Sequence, residues 1–397
     1  VIIKKSFCRN KTTNDSQTIV FLRNDHQHHQ QHQHSKSFST FMQLSKMTKA
    51  VGSALLSAKP LPTAGPYPTG DPYLFCVYHK DEYPQGNGKM EAPHRGNGSD
   101  FNPNQPYRMY HGNKIPGFPR HPHRGFETIT ATIEGLIDHA DSAGNGGRYG
   151  QGDLQWMTAG QGIVHSEMFP LIRTDGPNPT RFFQIWLNLP GRNKMVEPSF
   201  AMFWANDVPK WKSEDQRTSA TIWVGHYLGV ETNNAPPPNS WASDKDNDVA
   251  LIHLTLQPGA KFILPKANEP TVNRSLFYIE GPNGMIVDGK AISSKQSMIL
   301  DPKFEAVLEL PEDATEAGEF LWMQGKPIEE PVAQYGPFVM NTREEIVQAF
   351  EDYDRTQFGT WPWPRDDMVF SADKGRFALS GGVESFPSDT DGSKTEL

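Results

Sequence analysis

Two short patterns in this chain could hold a metal ion. The first is His121-Pro122-His123 and the second is His165-Ser166-Glu167. On a strand, residues i and i+2 project from the same face, so each pattern presents two donors side by side. Two antiparallel strands, each turning one pair inward, would close a site of three imidazoles and one carboxylate: His121, His123, His165 and Glu167. Such a set suits a divalent first-row metal, and open positions on it favour non-haem iron(II) chemistry. A closed structural zinc site ordinarily uses cysteine, and none lies nearby. A single H-x-H is weak, because a lone histidine is ordinarily a satisfied polar residue near a loop. The second pair strengthens the reading, as do the flanking glycines Gly117, Gly125, Gly160 and Gly162.

Strands must supply those positions, and the sequence reads as strands. Phe126–Ile133 alternates Ile129, Ala131 and Ile133 with Thr128, Thr130 and Thr132, a half-buried pattern. Tyr73–Tyr78, Asp153–Met157, Ile163–Met168 and Arg181–Leu189 read the same way. A second set follows from about residue 219: Ala220–Val224, Leu276–Ile279, Met285–Val287, Met298–Leu300, Ala306–Leu310 and Phe320–Met323. This spacing predicts an all-β sandwich or barrel. The second half holds only His226 and His253, and no ligand cluster. One helix is predicted after Thr342, where Thr342 and Glu345 form a capping box and Ile346, Ala349, Phe350 and Tyr353 share a face, ending at Gly359 and Pro362.

Length, 397 residues, suggests two domains. Apolar residues make up only 36%, so part of the chain is expected to be tail, and 34 Gly with 33 Pro fit many short turns. The net charge of −8 argues against direct binding of nucleic acid, which needs a basic face. No apolar run is long enough for a membrane helix. The two cysteines are Cys8 and Cys76, with Cys8 in the expected tail, so no disulfide is expected and a reduced compartment is. Residues 1–46 are rich in Ser, Thr, Lys and Arg and faintly resemble an organelle transit peptide, while His26, His28, His29, His32 and His34 read as a low-complexity tract rather than a site. The first residue is Val1, and Met42 and Met47 are candidate starts.

The run HPHRGFETIT, the stretch from Gly152 through Gln155-Trp156-Met157-Thr158 to His165-Ser166-Glu167-Met168, and Gly336-Pro337-Phe338-Val339-Met340-Asn341-Thr342 together resemble the signature of the pirin family over roughly residues 60–365. The resemblance implies a bicupin: two stacked cupin barrels with a C-terminal helix. It divides the chain into a disordered tail (1–55), a metal-binding N-terminal cupin (60–215), a C-terminal cupin with the terminal helix (216–365) and a polar, mobile C-terminal tail (366–397). It implies one iron(II) on His121, His123, His165 and Glu167. It also implies a quercetin 2,3-dioxygenase-type activity on a flavonol-like aromatic substrate with O2, in which Glu167, as the anionic ligand, takes the substrate proton. The alternative it carries is a non-enzymatic, redox-sensing transcription cofactor that binds a nuclear protein. Nucleus or cytoplasm, and a monomer, are the corresponding expectations.

Glu127 follows His123 by an even spacing. It is read as an acceptor behind a ligand imidazole, with direct ligation or a plain structural role as the alternatives. Arg124 is expected to point away from the metal into an ion pair. Phe126, Trp156, Met157, Phe183 and Trp186 are expected to be barrel core rather than a substrate platform. Residues 85–106 and 231–248 are longer than a minimal barrel needs.

Overall fold

The computed structural model describes residues 52–96, 98–230 and 234–388. They form two barrels of antiparallel strands, with one α-helix among the described residues. Cys8, Met42, Met47 and the His26–His34 tract lie outside them. In the first barrel, a five-stranded sheet runs in the order Ser199–Phe203, Leu154–Thr158, Phe126–Glu134, Asn178–Asn188 and Tyr73–Tyr83. Its companion has six strands, in the order Val383–Ser385, Phe377–Ser380, Gly146–Gly150, Leu136–Asp141, Ile163–Met168 and Gly117–His123. The second barrel pairs a seven-stranded sheet, from Leu55–Pro60 to Lys210–Lys212, with a four-stranded one.

Period-two alternation decides what each strand buries. On Phe126–Glu134, Ile129 and Ala131 leave the first barrel and join Leu154, Trp156, Phe183, Ile185 and Leu187. This face packs against Trp223, Leu251, Phe277, Ile279, Leu321 and Met323 of the seven-stranded sheet. The two barrels are thus stacked through one continuous apolar layer, to which each fully buried large side chain contributes about 1.5–3 kcal/mol. The second barrel's interior is itself apolar, filled by residues such as Ile252, Leu254, Leu276, Met298 and Phe320. Thr130 lies on the opposite face of its strand, inside the first barrel, where it reaches Glu167.

The chain ends cross between the barrels. Leu55–Pro60 pairs with Gln296–Leu300 and so extends the second barrel, although it precedes the first in sequence. After the second barrel the chain returns to the first through Ala333–Tyr335, Phe338–Met340 and the helix Arg343–Thr356. The helix has the expected capping box, but it stops at Gln357, which takes the left-handed conformation at φ 53° ahead of Gly359. Ile346 and Ala349 bury against Phe338 and Met340. Two motif glycines admit this return segment. A Cβ on Gly125 would lie 2.0 Å from the Val339 carbonyl oxygen, and one on Gly162 would lie 2.7 Å from the Phe358 ring. Arg124 does point away from the histidines, into a partly buried ion pair with Asp352 at 2.9 Å and over the Phe358 ring at 4.6 Å.

The expected C-terminal tail is corrected over residues 366–388. Phe377–Ser380 pairs with Gly146–Gly150. Fully buried Arg148 donates to both Asp138 oxygens at 2.7 Å and to the carbonyls of Phe370, Ser371 and Lys374. A polar composition concealed two anchors, Phe370 and Phe377, whose rings meet at 4.8 Å, and a guanidinium that needs those carbonyls.

Glu127 is also corrected. It faces the space between the barrels and not the histidines, because Gly125 breaks the strand after His123 and resets the alternation. Its oxygens accept from Thr158 Oγ1 at 2.7 Å and from Ser240 Oγ at 2.6 Å, the latter supplied by the long loop of the second half. Burial pushes this carboxyl up from 4.5 to about 7, against the pull of the two hydroxyls. A raised folded pKa makes the acid form the stabilising one. The contribution is full below pH 4.5, declines as pH rises and is lost above about 7, which amounts to roughly 3 kcal/mol at most. Urea midpoints of the chelator-treated protein across pH 4.5–8 should therefore fall relative to those of Glu127→Gln. A constant offset between the two would show that Glu127 does not titrate in this range.

Candidate metal centre

The first barrel's six-stranded sheet carries the donors on adjacent strands. The register between Gly117–His123 and Ile163–Met168 shifts between Phe118 and His121, which sets His121 opposite His165 and Phe118 opposite Glu167. Donor nitrogens of His121, His123 and His165 all lie within 4.8 Å of one another. Three donors about 2.1 Å from one ion sit roughly 3.0–3.4 Å apart, so the triad is gathered around one point and closes further on a bound ion.

The hydrogen bonds orient these rings. His121 Nδ1 lies 2.9 Å from the Pro119 carbonyl and His123 Nδ1 lies 3.4 Å from that of Pro337. Carbonyls only accept, so each Nδ1 carries the proton and each Nε2 keeps its lone pair. His165 Nε2 is fully buried with no hydrogen-bond partner. Such an orphan is costly unless something occupies its lone pair, and a metal ion would. Burial lowers His121 to about 4 and holds His123 and His165 well below the usual histidine value. The imidazoles are therefore neutral, the form that ligates.

Glu167 stands beside the triad and outside its tight cluster. Its Oε2 is 3.8 Å from His165 Nε2, a separation compatible with one shared ion. In this conformation the carboxylate accepts from Thr130 Oγ1 at 3.0 Å and Gln184 Nε2 at 3.4 Å. Burial raises its pKa, while the hydrogen bonds from Thr130 and Gln184 oppose the rise. The donors present thus fit a divalent cation: three neutral nitrogens and one adjustable carboxylate.

An aromatic wall adjoins the triad. Phe126 and Trp186 lie 5.2 and 5.5 Å from the His123 ring, and Phe75 lies 4.8 Å from Trp186. Phe126 is fully buried, as expected of barrel core, and Trp186 is partly exposed; both adjoin the triad, whereas Trp156 and Phe183 belong to the inter-barrel layer. Met157 packs with Ala159 and Ile163. Phe75, Val77, Gln184 and Trp186 stay partly exposed although they face the interior, so solvent reaches the barrel from this side. Two cavities lie away from the triad, and neither is lined by its residues. The one of about 130 Å³ is lined by Glu134, Gly135 and Phe169 through Arg173 at another part of the barrel, and the other adjoins Thr69 and Asn273.

Sequence reasoning missed His139 and Asp141, which are fully buried on Leu136–Asp141 with His139 opposite Glu167 and Asp141 opposite His165. The signal was a third i, i+2 pair, His139-Ala140-Asp141, at the edge of the glycine-rich run 141–152. If the triad is the site, the full-length protein should bind one divalent first-row metal per chain by elemental analysis. His165→Ala should lose most of it and Glu127→Ala should keep it. The reverse pattern would move the site to the inter-barrel face.

Comparison with known proteins agrees with this architecture. A family profile described as Pirin matches residues 80–187, and one described as Pirin C-terminal cupin domain matches residues 251–359. A pirin-like protein of Solanum lycopersicum is 37% identical over 238 residues, covering 60% of this chain and 75% of that protein. Pirin of Homo sapiens is 34% identical over 257 residues, covering 63% and 80%. The crystal structure of quercetin 2,3-dioxygenase from Acinetobacter baumannii superposes with a TM-score of 0.60 at 25% identity, covering 77% of this chain and 98% of that one. Both barrels are matched in their order along the chain, and the histidine strands fall within the first match: the chain belongs to the pirin family.

Proposed function

We propose that this protein is a metal-dependent dioxygenase of the quercetin 2,3-dioxygenase type, with iron(II) held by His121, His123, His165 and Glu167. The observation that carries this reading is the orphaned, buried Nε2 of His165, set among two further neutral imidazoles and beside an aromatic wall. The likeness to the Acinetobacter baumannii quercetin 2,3-dioxygenase supports it. The metal would supply Lewis acidity toward a substrate oxygen and a place for O2.

The chain's own residues do the rest. Phe75, Phe126 and Trp186 offer flat apolar faces for an aromatic substrate. Glu167 takes the proton of the flavonol 3-hydroxyl. It is the one anionic donor of the set, and Thr130 and Gln184 hold it in place. The reaction would consume one O2, open the flavonol heterocycle and release one carbon monoxide.

The test is O2 consumption and carbon monoxide release with quercetin as the probe. Metal-loaded protein should turn over. Glu167→Gln, compared at equal metal content, should lose about 10²–10⁴-fold in kcat. Loaded protein that neither consumes O2 nor releases carbon monoxide would contradict the activity. A Glu167→Gln variant with wild-type kcat would reassign the base.

A further inference from the structure

Each of the three clustered histidines needs its Nδ1–H accepted by something. For His121 and His123 that something is a backbone carbonyl, of Pro119 and Pro337. His165 differs: its Nδ1 lies 3.4 Å from Nδ1 of another histidine, His139. Two ring nitrogens at that distance must be one donor and one acceptor. Which is which is decided one residue further back.

His139 Nε2 lies 3.4 Å from Asp141 Oδ2, with both side chains fully buried. Asp141 is locked in place. Its Oδ1 accepts from the Ala143 and Asn145 backbone N–H groups, each at 2.9 Å, and its Oδ2 from Asn145 Nδ2 at 3.0 Å. An ionised carboxylate can only accept, so His139 carries its proton on Nε2 and presents a bare Nδ1. His165 must then protonate Nδ1, which leaves its Nε2 lone pair free toward His121 and His123. The His139 ring is itself held by stacking on Phe200 at 5.2 Å and 29°.

We propose that Asp141 and His139 form a positioning relay that fixes the tautomer and ring orientation of His165 and thereby sets the strength of the metal site. The relay rests on the reading that the triad holds a metal. Partners behind ligating histidines are generally worth about 10–100-fold in metal affinity. Here the partner is a second imidazole, so one ligand of the three depends on side chains alone, while the other two depend on the backbone. Only the His165 bond can be adjusted by substitution without moving the chain.

The test uses the full-length protein freed of metal by chelation and titrated with cobalt(II) against a competing chelator. Affinity and the d–d absorption spectrum are read together, and the unfolding midpoint of each metal-free variant is recorded beside them. His139→Leu removes the acceptor and should weaken cobalt binding about 10–100-fold with an altered spectrum. His139→Gln restores a carbonyl acceptor and should recover the wild-type spectrum and most of the affinity. Asp141→Asn offers His139 a donor in place of an acceptor and should mimic His139→Leu. Wild-type affinity and spectrum in His139→Leu would overturn the relay. So would equal losses in His139→Leu and His139→Gln, which would mark His139 as packing only. If His139→Leu does not fold, the contrast between His139→Gln and Asp141→Asn decides alone. Wild-type protein that takes up no cobalt would instead overturn the metal reading beneath the relay.

Discussion

The cross-strand register that sets His121 opposite His165 is the constraint on which the site depends. Side chains on a strand alternate between faces, so a slip of one residue would send His165 and Glu167 to the outside of the barrel together. The irregularity between Phe118 and His121 absorbs the extra residue and brings the two histidine-bearing strands into phase. Everything else acts on that pairing. His139 and Asp141 back it from the neighbouring strand, and Phe126 and Trp186 wall it from the facing sheet.

The return segment holds the register from outside. Val339 N–H donates to the Arg124 carbonyl at 3.0 Å. Lys194, nearly fully buried, donates to the carbonyl of Gly125 at 2.8 Å, to Asn188 Oδ1 at 2.7 Å and to the Val339 carbonyl at 3.3 Å, and burial lowers its pKa to about 8. The Pro337 carbonyl then reaches His123. A segment that follows the second barrel therefore completes the hydrogen bonding of a histidine in the first. Neither barrel can be treated as a separate module, because Leu55–Pro60 extends the second sheet while residues 333–388 cover the first.

Much of this was legible in the sequence, for physical reasons that can be named. The i, i+2 histidine pairs were visible because a strand maps spacing directly onto a face. Strand alternation pointed to strands in both barrels, and the Thr342–Glu345 box marked the helix start. The failures share one cause: the information was non-local. Glu127 had the right parity for the site, but Gly125 broke the strand between it and His123. Arg148 and Phe377 looked like unrelated polar and apolar residues until the chain's return brought them together. His139 lay just ahead of a glycine-rich run, 141–152, whose composition suggests a turn, and Asp141 at its start; both belong to a strand buried from Ile137 onward.

The most direct test of the central claim is anomalous diffraction from a crystal of the full-length protein soaked with iron(II), recorded at the iron edge. A single peak about 2.0–2.2 Å from Nε2 of His121, His123 and His165, with a Glu167 oxygen completing the set, is the predicted result. A peak at Glu127 or in the second barrel, or no ordered peak at the triad, would contradict it.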